Sequence, residues 1–107
     1  MNDRELLELA AKAAGYEYAK FGGYIVTDGI PGNWNPLTDD GDALRLAVKL
    51  GLAIRVLEKC VFVESDPETL LGQSQYSELE MYGNSDPYAA TRRAIVRAAA
   101  EIGKEMK

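Results

Sequence analysis

Apolar positions in the first fifteen residues recur at helical spacing. In "NDRELLELAAKAAG", Leu6, Leu9, Ala10 and Ala13 share one face and the charged residues take the other. Asn2 is placed to cap that helix, with Glu5 three residues on, as in a capping box. Gly15 ends it, because glycine takes the left-handed conformation of a C′ residue at little cost. The pattern then changes. "YEYAKFGGYIVTDG" is rich in aromatic and β-branched residues, and Gly22-Gly23 suits a two-residue turn. Residues 16–21 and 24–27 are therefore expected to form an antiparallel hairpin. "DGIPGNWNPL" is dense in Gly, Pro and Asn and reads as a loop without regular structure.

Helical spacing returns at Thr38 or Asp39. Ala43, Leu46, Ala47 and Leu50 form the buried stripe, and Gly51 stops the helix. Arg45 and Lys49 lie on the solvent side. Asp39, Asp40 and Asp42 sit where the helix dipole is positive. "LAIRVLEKCVFVE" reads as two strands turning at Glu58-Lys59, "SDPETLLGQS" as a loop, and "QYSELEMYG" as a further strand. Asp86 as N-cap and Pro87 at N1 open a last helix. Its expected buried side is Tyr88, Ile95, Ala98, Ile102 and Met106. Gly103 weakens its final turns by about 1 kcal/mol relative to alanine.

The order α-ββ-α-ββ(β)-α predicts one α+β domain over residues 1–107. Two hairpins join in a mostly antiparallel sheet, and about three helices bury their stripes against it in a layered α/β sandwich.

Composition then narrows the chemistry. With 47% hydrophobic and 27% charged residues over 107 positions, the chain can bury a core without staples. A net charge of −5 argues against non-specific nucleic-acid binding. It leaves open an acidic surface that meets a basic partner. One cysteine allows no internal disulfide, and a cytoplasmic setting is the simplest reading. Neither a secretory leader nor a membrane span is visible. There is no histidine, which removes the usual general base, triad partner and commonest zinc ligand. CxxC, Walker and GxGxxG motifs are also missing. The expectation is a protein that is not an enzyme, with no cofactor and no metal.

"WNPLTDDGDALRLAVKLGL" and "DPYAATRRAIVRAAAEIGKEM" resemble small bacteriophage proteins of the phage ABA-sandwich domain family, and "DRELLELAAKAAGY" is similar to that family's opening helix. Together these stretches cover about half the chain, in the expected order. The resemblance implies a phage or prophage origin, the host bacterial cytoplasm as setting and an α-β-α layered fold. It implies no reaction.

Trp34, the sole tryptophan, stands in a loop before the second helix. It is either a platform that stacks on a ligand or a plug over the sheet. Arg92, Arg93 and Arg97 form a cationic cluster, with Arg93 and Arg97 one helical turn apart. They can grip an anion bidentately or pair with the chain's own carboxylates. With Tyr88 and Trp34 they make the candidate ligand site. The three aspartates lack the calcium-loop order and are read as capping residues. Cys60 reads as an inert core thiol, and the tyrosines as packing. Glu78 and Glu80 share a strand face without being marked out as acid and base. The functional expectation is a non-enzymatic phage accessory protein, a counter-defence sink for an anionic nucleotide held by a homo-oligomer. The alternatives are an antagonist of a host protein and a structural phage protein.

Overall fold

A computed structural model describes residues 2–18, 25–27, 30–32, 34–65, 77–83 and 86–105. The expected Gly22-Gly23 turn, the loop after Ser65, Tyr76 and Met106 lie outside them. The fold is α+β. Its elements run α1 (Asp3–Ala14), β1 (Glu17–Tyr18), β2 (Ile25–Thr27), β3 (Ile30–Gly32), α2 (Asp40–Leu50), β4 (Leu52–Val56), β5 (Cys60–Ser65), β6 (Ser77–Met81) and α3 (Pro87–Glu105).

Local signals set the helix ends. The Asn2 side chain accepts from the Glu5 amide at 2.8 Å, the first half of the expected box, and its own amide group donates to the Glu5 carboxylate at 3.1 Å in place of the backbone bond that would complete it. Asp39 accepts from the Asp42 amide, and Asp86 from the Tyr88 amide. Gly15 and Gly51 end α1 and α2 with φ of 79° and 65°.

The strands form two three-stranded antiparallel sheets, β1-β2-β3 and β4-β5-β6, rather than the single sheet expected from two joined hairpins. The first is built partly from a segment read as loop. Ile30–Gly32 pairs with β2 in the register Ile25–Gly32, Val26–Pro31 and Thr27–Ile30. Proline cannot donate to a ladder, but β3 is an edge strand, where that is tolerated. Glu58-Lys59 does turn between β4 and β5, and Val56 faces Val61 across the pair.

In the second sheet Val61, Val63 and Ser65 are buried on one face, against α3. Ile54 and Val56 share that face by register. Leu79 and Met81 are exposed on the opposite face. The three helices lie together on the buried side. α3 packs at once on that sheet, on α1 and on α2. It is therefore buried nearly all round, at Ala90, Ala94, Ile95, Val96, Ala98, Ala99, Ala100, Ile102 and Gly103. The single stripe expected for α3 is too narrow, and Tyr88, assigned to it, is exposed. On α1 the buried set is Leu6, Leu7, Ala10, Ala11 and Ala14, with Leu9 and Ala13 only half-buried at its edge.

Candidate functional site

The aspartates at the start of α2 are engaged in holding the chain. Asp42 accepts from the Asn35 amide at 2.9 Å and from Arg45 at 2.7 Å. The hydrogen bond to Asp42 raises the Arg45 pKa above its usual value, so this guanidinium stays cationic. Asn35 accepts from the Leu37 amide, turning the chain so that Pro36 is buried.

Trp34 is half-buried and packs on the core from this turn. Its ring meets Tyr16 edge-on, with centroids 5.7 Å apart and planes at 84°. Lys49 Nζ lies 4.9 Å from the Tyr16 centroid. The tryptophan thus ties the end of α1 to the turn before α2, which favours the plug over the platform.

The three arginines make three separate ion pairs, and Arg93 and Arg97 lie on the side of α3 that meets Glu80. Arg92 Nε donates to the Leu37 carbonyl at 2.9 Å, and its terminal nitrogen to Asp40 at 2.6 Å. Its side chain is only 17% exposed. Arg97 donates to Glu80 at 2.5 Å, satisfying a carboxylate on the buried side of the sheet. Arg93 stands 3.6 Å from Asp3 in a looser surface pair. Each guanidinium already has a carboxylate of its own chain.

A larger hollow than any the arginines share lies between the helices and the sheet. A groove of about 520 Å³ runs between α2, β4 and α3. Ala43, Leu44, Ile54, Val56 and Ile95 give it an apolar lining, and Tyr88 stands at α3's first turn. Leu44 and Val56 are each 60% exposed and Tyr88 69%. Asp40 and Arg92 are the charged groups of its lining, and they are bonded to each other. A smaller hollow of about 200 Å³ lies by β6 and α3, with Arg93, Glu80 and Leu37 among its residues. Of the five residues expected to share a site, Tyr88 and Arg92 meet in the groove. Arg93 borders the smaller hollow, and Trp34 and Arg97 line neither.

Known protein families, characterised proteins and solved structures were compared with the chain, and none matches it. The chemistry of the site therefore rests on its own residues. The groove's key positions, Leu44 and Val56, were not among the expected site residues. For Leu44 a signal was present: it and Val48 are large apolar residues four apart on α2, off the stripe that its core face uses. Val48 is 72% exposed.

Proposed function

We propose that this chain is a non-enzymatic binding protein, and that the groove between α2, β4 and α3 receives an apolar segment of another protein. One observation carries the reading. Leu44, Val56 and Tyr88 are large, exposed and gathered around one apolar hollow. Contiguous exposed apolar surface of this kind marks interaction sites. Asp40 in its lining is exposed and paired with Arg92, and Asp39 and Asp86 are exposed at the starts of α2 and α3. The chain as a whole carries −5. A complementary occupant offers apolar anchors flanked by lysine or arginine.

The resemblance to small phage proteins suggests only the setting, and antagonism of a basic host factor in the bacterial cytoplasm is the role that the groove supports there. The nucleotide-sink alternative draws less support, because Arg92, Arg93 and Arg97 are each paired with a carboxylate of this same chain.

The test compares the wild type with Leu44→Arg and with the double variant Arg93→Ala, Arg97→Ala. Saturable capture of a basic host protein, lost in Leu44→Arg and kept in the double arginine variant, is expected. A melting temperature raised by a nucleotide, with the rise lost in the double variant, would instead favour the sink. Consumption of that nucleotide would make the protein an enzyme.

A further inference from the structure

We infer that the free edge of β4 pairs with β4 of a second copy, joining the two β4-β5-β6 sheets into one of six strands. This does not depend on what fills the groove.

The backbone points to the edge. Leu57 N–H donates to the Cys60 carbonyl at 2.8 Å, closing the hairpin. Hydrogen-bonded and non-bonded pairs alternate along an antiparallel ladder. Arg55 and Ala53 therefore bond to β5, and Leu52, Ile54 and Val56 direct their N–H and C=O groups outward. No described residue accepts from or donates to them there. Described edges elsewhere are poorer templates. Strands β1 and β3 have two and three residues. Pairing β6 about Leu79 would set Glu78 opposite Glu80 of the other copy, and opposed like charges destabilise a sheet.

β4 is self-complementary. A two-fold axis at Ile54 sets Ile54 against itself, Leu52 against Val56, and Ala53 against Arg55 of the other copy. The apolar residues meet on the groove side, and the two arginines stay apart. No proline or bulge blunts this edge, although Arg55 lies on its opposite face.

Charge on α2 agrees. α2 turns through Gly51 straight into β4, so its two ends follow the two ends of the strand in reverse. An antiparallel β4 pair then brings the acidic start of one α2, at Asp39 and Asp40, toward Lys49 at the end of the other. The exposed Leu44 and Val48 run between those ends. In this register Leu52 of the second copy stands beside Val56, so it supplies a wall of the groove.

The full chain is measured by light scattering and sedimentation across the micromolar range. A concentration-dependent mass of two chains is expected, against 11.7 kDa for one. Val56→Pro removes an outward N–H without breaking the β4–β5 ladder, and should return the mass to one chain. As a check independent of that variant's folding, Ile54→Cys in a Cys60→Ser background should form an intermolecular disulfide under mild oxidation. Residues opposed in a bonded pair have Cα atoms about 5.5 Å apart, within disulfide reach. Leu79→Cys in the same background should not. A single-chain mass at every concentration overturns the inference, and so does cross-linking through Leu79→Cys but not through Ile54→Cys.

Discussion

Gly103 of α3 lies against the backbone of Leu9 in α1. A Cβ built on Gly103 would stand 2.0 Å from the Leu9 carbonyl oxygen and 2.8 Å from its carbon. Backbone atoms of one helix thus occupy the space a side chain on the other would need. This explains a glycine in the last turn of α3 that its own propensity disfavours. Gly103→Ala should therefore destabilise the protein by about 1–3 kcal/mol, the cost of overpacking. Propensity alone predicts a gain of about 1 kcal/mol. Urea unfolding decides the sign.

Trp34→Ala should cost about 3 kcal/mol, the low end for truncating a buried aromatic, because the ring is half-buried. Trp34→Phe should recover part of this through the edge-on contact with Tyr16. An unchanged midpoint in Trp34→Ala would mean that the ring is a platform after all.

Arg92 and Arg93 are neighbours in sequence with opposite expected consequences. Arg92→Met removes two hydrogen bonds that join α3 to Leu37 and Asp40, and should cost about 1–3 kcal/mol. Arg92→Lys should rescue little, since one ammonium cannot reproduce the fork. Arg93→Ala should change stability by under about 0.5 kcal/mol, because its partner is an exposed carboxylate at 3.6 Å. Equal losses would mean that the Asp40 contact contributes nothing.

Arg97→Ala should cost more than Glu80→Gln. The arginine variant leaves a carboxylate unpaired at the mostly buried end of the pair, whereas the glutamine keeps an acceptor for the guanidinium. A difference of about 1 kcal/mol is expected, read from paired denaturation curves.

Helix starts and stops were legible because they are decided within four residues. Asn2, Asp39 and Asp86 cap where their spacing says. β3 was not legible, since Ile30, Pro31 and Gly32 become a strand only through pairing with β2. The burial of α3 was half legible. Its apolar period marks one side, but its run of small alanines lets a sheet and two helices approach from several directions. The arginine cluster stood out, while its partners did not. Asp3, Leu37, Asp40 and Glu80 come from four separate segments, and no local spacing announces them.

The position of α3 in the chain has a consequence for synthesis. Every other described element precedes it, and the core residues Val61, Val63 and Leu46 are covered only once it is in place. α1 precedes α3 along the chain, and its close partner Gly103 lies more than ninety residues after Leu9. Contacts so distant in sequence form late and slowly. A nascent chain stalled before Pro87 would show apolar strands and an unmatched helix to chaperones and proteases. The core that α1, α2 and the β4-β5-β6 sheet share with α3 thus cannot close before α3 has been made.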